Sequence, residues 1–182
     1  MEMYDNKETV EKSFDLSYIS EPLIQAQWAE FIELKKVINE LSKKKKAPIS
    51  ILDIGIGNAR IPQHLCGIKE IWEMVSIYDG LDNAQACVDI SNKTIAEYNI
   101  QDKVFAHHFD ASELHKWEKK YDLVITTWFT AGNFYPPDFP FETYGISGER
   151  LNLTRNKKFE TIFSDAYNLV NPGGEVLIGA CY

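Results

Sequence analysis

The sequence predicts an α/β domain built on a doubly wound, mainly parallel sheet. Three observations carry this expectation. Short apolar runs alternate with stretches of helical periodicity from residue 50 onward. The runs are continuous rather than alternating, as strands buried on both faces require. The first run, Ile51-Leu52-Asp53-Ile54-Gly55-Ile56-Gly57-Asn58, ends in glycines where a strand must turn into a helix. Strand–helix–strand units of this kind connect right-handedly into a parallel sheet.

The elements follow in order. Ile24, Trp28, Phe31, Leu34, Ile38 and Leu41 recur at helical spacing, which predicts an amphipathic helix over 22–45. Pro22 sits near its start, where proline is tolerated. Trp28 belongs to the core stripe on this reading. The run Lys43 to Lys46 is expected to be a solvated helix end, where cations suit the dipole. Strands are expected over 50–54, 75–81, 104–108, 121–126 and 175–180. A helical stretch begins near Ala59. Over 84–98, Cys87, Val88, Ser91, Ile95 and Tyr98 share a helical face. A further helix over 159–169 is broken by Asn171-Pro172-Gly173-Gly174. The stretch 128–158 is rich in Pro, Phe, Gly and Asn, and reads as a long insertion of the functional or mobile kind. The expected organisation is one domain over 1–182 with a helical N-terminal segment, 1–48.

Composition narrows the function classes. The chain has 182 residues and a net charge of −8. An acidic surface repels phosphate backbones, so no nucleic-acid partner is expected. The three cysteines are far apart and form no CxxC pair, which argues against a disulfide framework and a thiolate zinc site. No apolar stretch approaches the roughly 18 residues that span a bilayer. No signal-peptide pattern stands at the start. The expectation is a cytoplasmic protein without a membrane partner. His107 and His108 are adjacent on a strand and point to opposite faces, so they cannot share a metal. His64 and His115 have no partner at metal spacing, and no metal site is expected.

Ligands of an open parallel sheet bind outside the carboxyl ends of its strands. Three carboxylates are expected there: Asp53, Asp82 and Asp110. Gly55-x-Gly57-x-x-Arg60 is a poor dinucleotide fingerprint, because arginine replaces the third glycine. Asp53, two residues before the first glycine, would also face a pyrophosphate, and like charges repel strongly in a partly dry cleft. A cofactor with cationic groups and no phosphate fits better. S-adenosylmethionine is such a molecule, with an ammonium, a sulfonium, a ribose diol and an adenine amine that carboxylates can receive.

Here the sequence resembles the class I S-adenosylmethionine-dependent methyltransferases. Asp53-Ile54-Gly55-Ile56-Gly57-Asn58 resembles their D-x-G-x-G first motif. Gly80-Leu81-Asp82, Phe109-Asp110-Ala111, the run 121–126 and the run 169–179 resemble the motifs of the second to fifth strands, in the right order. The resemblance implies a Rossmann-like methyltransferase fold that is C-terminally short, since the family fold usually continues past the fifth strand. It implies roles by position. Gly55 and Gly57 let the backbone approach the methionine portion, and Asp53 orients that end. Asp82 takes the ribose hydroxyls, with Asp89 as the alternative acid. Spacing favours Asp82, which leaves room for a helix and a strand before Asp110. Asp110 reaches the adenine amine, with the Ala111 amide nearby. Thr126, Thr127 and Trp128 face the reacting methyl. Asn58 stands where the family often has Gly or Thr, and is expected to supply a positive φ.

Family members often close their N-terminal segment over the cofactor, where an aromatic can contact it; of Phe14, Tyr18 and Trp28, Tyr18 is the candidate contact. On the substrate side stand Trp128, Phe129 and Asn133. Gly132-Asn133-Phe134 is similar to a segment of the histidine Nα-methyltransferases of the ergothioneine type, where asparagine helps hold the amino-acid substrate. The expected reaction is methyl transfer to a small-molecule acceptor, amine or amino-acid-like. Two rivals stand beside it: a non-catalytic module that binds S-adenosylmethionine or S-adenosylhomocysteine, and an NAD(P)-dependent oxidoreductase.

Overall fold

The structure, a computed structural model, describes residues 7–14, 19–127 and 157–179. Helices α1 (Lys7–Phe14) and α2 (Glu21–Lys45) precede strand β1 (Ile49–Ile54). Short helices α3 (Arg60–Cys66) and α4 (Lys69–Trp72) lead to β2 (Val75–Asp82). Helix α5 (Gln85–Glu97), β3 (Val104–His108), a 3-10 helix (Ala111–Lys116) and β4 (Tyr121–Thr126) follow. The described chain ends with α6 (Lys157–Asn168) and β5 (Val170–Ile178). Most of the expected insertion, residues 128–156, lies outside the described residues.

The five strands form one sheet in the order β3-β2-β1-β4-β5, and every pairing is parallel. The chain runs outward from β1 to β3, then returns to place β4 on the other side of β1. The switch point therefore falls between β1 and β4, at the carboxyl end of the sheet.

Alternation along the strands divides the core in two. Ile51 and Tyr78 join Phe31, Leu34, Ile38 and Leu41 of α2 and Ile61 and Leu65 of α3. Leu52, Leu81 and Val124 join Leu114 of the 3-10 helix and Ile162 and Ala166 of α6. Each fully buried Leu or Ile contributes about 1.5–3 kcal/mol, so the buried stripe of α2 fixes that helix across the sheet.

Three expectations need correction. Trp28 is not a core residue: it is 54% exposed, and burial on α2 begins at Phe31. The lysine run is not simply solvated. Lys45 Nζ pairs with Asp122 Oδ2 at 2.6 Å, and Lys44 Nζ donates to the Gly173 carbonyl at 2.9 Å, which pins the end of α2 to β4 and β5. The fifth strand begins at Val170 rather than 175. Val170 pairs with Tyr121, the chain bulges through Gly173 (φ 82), and pairing resumes at Glu175 with Leu123. Proline and glycine interrupt the ladder there without ending the strand.

Candidate active site

A cavity of about 550 Å³ opens at the switch point. Its floor is the turn after β1, with Asp53, Gly55, Ile56, Gly57 and Asn58, and its far side includes Thr127 after β4. Phe14 of α1, with Leu23, Ile24, Gln27, Trp28 and Phe31 of α2, closes it from above, and Arg60, Ile61, Gln63 and His64 of α3 complete it.

The turn is held by its neighbours. Gly55 and Gly57 adopt φ of 91° and 62°, which favours glycine. The Gly55 and Ile56 amides donate to the Leu81 carbonyl at 2.7 and 2.9 Å. The Gly57 amide donates to Asp82 Oδ2 at 3.1 Å, and Ser91 Oγ of α5 donates to the Gly57 carbonyl at 2.8 Å. Gly80 on β2 permits the close approach, since a Cβ there would overlap the Ile56 side chain. Above Gly55 a Cβ would meet nothing within 4 Å, so the floor of the cavity is open at that residue. Above Gly57 it would lie 3.0 Å from the Phe14 ring, so α1 caps the turn at that point.

Asn58 does not take the expected positive φ. That conformation falls on Ala59 (φ 60), and Asn58 Oδ1 instead accepts the Arg60 amide at 3.2 Å, in the manner of an Asx turn.

Asp53 is the acidic group among the residues lining the cavity and is 1% exposed. Its Oδ2 accepts from the Tyr78 hydroxyl at 2.6 Å. Among the described residues its Oδ1 is buried without a hydrogen-bond partner. Burial pushes the Asp53 carboxyl up to about 7, against the lowering effects of the Tyr78 hydrogen bond and the Arg60 charge. Arg60 in turn pairs with Glu30 of α2 at 2.8 Å.

Asp82 ends β2 with both oxygens engaged: Oδ2 takes the Gly57 amide and Oδ1 the Ala84 amide at 3.0 Å. Burial raises its carboxyl above the usual range, although these amides and the Cys87 thiol favour the charged form. Asp110 lies one strand further out, exposed, where Oδ1 accepts the Ser112 amide at 2.8 Å and starts the 3-10 helix with Ala111. Asp89 is an exposed residue of α5, bonded to Gln85 Nε2, and ends no strand. The fold thus brings Asp53, Gly55, Gly57, Asn58 and Thr127 onto one cavity. Asp82 buttresses its floor, and Asp110 stands apart along the same sheet edge. Tyr18, Trp128, Phe129 and Asn133 lie outside the described residues.

Sequence reasoning missed Tyr78, Ser91, Glu30 and the wall formed by Trp28 and His64. The His64 ring lies 5.6 Å from Trp28 and 5.1 Å from Phe31, centre to centre. Burial and the neighbouring Arg60 charge lower its pKa, which favours the neutral ring. His107 pairs with Asp79 and His108 with the Asn83 carbonyl, on different partners. Among the described residues no group of three His, Cys, Asp or Glu side chains could hold a metal ion, and no helix is long and apolar enough to cross a membrane.

Solved structures share this fold at low sequence identity. A candidate S-adenosylmethionine-dependent methyltransferase from Methanococcus maripaludis superposes with a TM-score of 0.57 at 17% identity, over 97% of this chain and 64% of its own. The chain has the class I methyltransferase fold. The CcbJ methyltransferase from Streptomyces caelestis gives a TM-score of 0.57 at 16% identity, over 82% of this chain and 48% of its own. The [4+2]-cyclase SpnF shares the fold at a TM-score of 0.50 and 12% identity, over 79% of this chain and 43% of its own. The chain thus spans less than two thirds of each. No family model matches it, and no curated protein does.

Proposed function

We propose that the chain binds S-adenosylmethionine at the switch-point cavity and transfers its methyl group to a small-molecule acceptor, amine or amino-acid-like. One observation carries this reading. Asp53 lines the cavity beside a glycine turn open at Gly55, and its Oδ1 is buried without a hydrogen-bond partner among the described residues. A buried unpaired acceptor is costly unless a ligand supplies the donor. An ammonium suits it, and a phosphate does not.

When bound, this cofactor supplies an electrophilic methyl on a sulfonium centre. The chain's own residues bind and orient. Gly55 and Gly57 admit the methionine portion, and Asp53 receives its amino end. Asp82 and Asp110 lie along the edge where ribose hydroxyls and an adenine amine would extend, and carboxylates are the acceptors such donors suit. Phe14 and the N-terminal part of α2 exclude water above the turn. Because the transferred group is already activated, the protein's share is orientation and desolvation. The acceptor-side assignment of Trp128, Phe129 and Asn133 remains part of this proposal, with Tyr18 as a cofactor contact. The aromatic wall of Trp28, Phe31 and His64 adds an apolar, neutral surface for an acceptor.

A second reading is binding without methyl transfer, since a protein of the same fold is named a [4+2]-cyclase rather than a methyltransferase. Calorimetry with S-adenosylhomocysteine and with NADH tests the cofactor. Binding of the first and not the second is expected, and the reverse overturns the reading. A radiolabelled methyl-transfer screen over primary amines and amino acids then separates enzyme from binding module.

A further inference from the structure

We propose that Tyr78 is a positioning residue for the amino end of the cofactor: its hydroxyl holds Asp53 Oδ2, so that Oδ1 is kept facing the cavity to accept from an ammonium group. This rests on the cofactor reading above and goes beyond it, because Tyr78 lies beneath the cavity wall and does not line it.

The geometry is specific. Tyr78 is fully buried on β2, in register with Ile51, while Asp53 is in register with Gly80. Both side chains point to the α2–α3 side of the sheet, and their oxygens meet at 2.6 Å. A tyrosine hydroxyl has one proton, and here Asp53 is its acceptor. The bond fixes the carboxylate's rotation, so the two oxygens are not equivalent. One is satisfied by the protein, and the other is buried without a partner on a residue that lines the cavity. Gly80, lacking a Cβ, lets the turn pack close beside this pair.

The charged groups around Asp53 do not remove the need for a cationic partner. Arg60 of α3 faces it, but Arg60 is paired with Glu30 of α2, whose charge opposes it. Asp82 at the end of β2 adds a second opposing charge. Burial dominates and holds Asp53 up to about 7, while the Tyr78 hydrogen bond pulls it down. An ammonium ligand binds the ionised carboxylate, so affinity rises with pH through this titration. Loss of the Tyr78 hydroxyl moves that rise to higher pH.

The test is a double-mutant cycle read by calorimetry from pH 5.5 to 8. Wild type, Tyr78→Phe, Asp53→Asn and the double variant are titrated with S-adenosylhomocysteine, which carries the amino end, and with methylthioadenosine, which lacks it. At pH 7, Tyr78→Phe is expected to weaken S-adenosylhomocysteine by about tenfold, the scale of one charge-assisted hydrogen bond, and to shift its pH limb upward. Methylthioadenosine is expected to bind all four proteins alike. In the Asp53→Asn background, Tyr78→Phe is expected to change little, and the limb disappears. The double variant also lacks the buried carboxylate, so it reports even where Tyr78→Phe alone folds poorly. Equal losses for both ligands, or additive losses in the double variant, overturn the positioning role while leaving the cofactor reading intact. Failure of wild type to bind either ligand overturns both.

Discussion

Asp82 accepts the Gly57 amide at 3.1 Å, so the end of β2 holds the turn that follows β1. The same carboxylate accepts the Ala84 amide at the start of α5, and its own carbonyl takes the Phe109 amide at 2.8 Å. One residue therefore ties together the carboxyl ends of three neighbouring strands. Asp82→Ala leaves two backbone donors without their acceptor, at roughly 1–3 kcal/mol each if they stay buried. The expected outcome is a lower urea midpoint and weaker S-adenosylhomocysteine binding. Asp82→Asn, which keeps one acceptor oxygen, is expected to lose less of both.

The glycines of the site make separable predictions. A Cβ at Gly80 would overlap the Ile56 side chain. Gly80→Ala therefore overpacks the junction of β2 and the turn, which typically costs about 1–3 kcal/mol. Gly55→Ala meets no neighbour and suffers only its positive φ, at about 1 kcal/mol. Its new methyl nonetheless occupies the cavity floor. Thermal melts are expected to rank Gly80→Ala as the more damaged fold. Calorimetry is expected to show that Gly55→Ala loses ligand beyond what its stability change explains. Equal binding by Gly55→Ala and wild type would remove the floor from the cofactor path.

Much of this was legible in the sequence. The five strands are short apolar runs between helical stretches, and buried parallel strands leave that trace whatever their neighbours. The turn was legible because positive φ selects glycine. What failed depended on context. The stripe of α2 predicts burial for Trp28, but toward its N-terminus the helix faces the cavity, so the same periodicity yields an exposed indole. Asn58 can adopt a positive φ, yet the turn places it on Ala59. Tyr78 and Ser91 could not be singled out, because their partners Asp53 and Gly57 are set by strand register and by the docking of α5.

On the opposite face of β2, Asp79 is buried at the centre of a polar cluster. His107 Nε2 approaches Oδ1 at 2.7 Å, and the Tyr121 hydroxyl and Lys119 Nζ donate to Oδ2 at 2.7 and 3.2 Å. Burial alone would raise this carboxyl, but the three hydrogen bonds and the lysine charge outweigh it, and its pKa is lowered. A depressed carboxyl stabilises the fold above the ordinary value of 3.8 and loses that contribution as pH falls through its native value. Asp79→Asn is thus expected to lower stability at pH 7 by roughly 1–3 kcal/mol. The difference from wild type narrows below about pH 4. Urea midpoints at pH 7, 5 and 3 check this, and a difference that stays constant would assign the loss to packing rather than to charge.

Asp53 has the opposite sign. Its native pKa, about 7, stands above the ordinary 3.8. A raised carboxyl stabilises the fold fully below the ordinary value and loses that contribution as pH rises through the native one. Wild type should therefore weaken, relative to Asp53→Asn, between about pH 4 and pH 7. Above that window the variant is expected to be the more stable, by on the order of a few kcal/mol. A saturating ligand that brings an ammonium group should reverse the order, because that group pairs with the wild-type carboxylate and finds no charge in the variant. Denaturation at pH 8 with and without S-adenosylhomocysteine checks both halves. If Asp53→Asn were less stable than wild type at pH 8 without ligand, the carboxylate would be satisfied by the fold itself, and the case for a ligand ammonium at Oδ1 would fail.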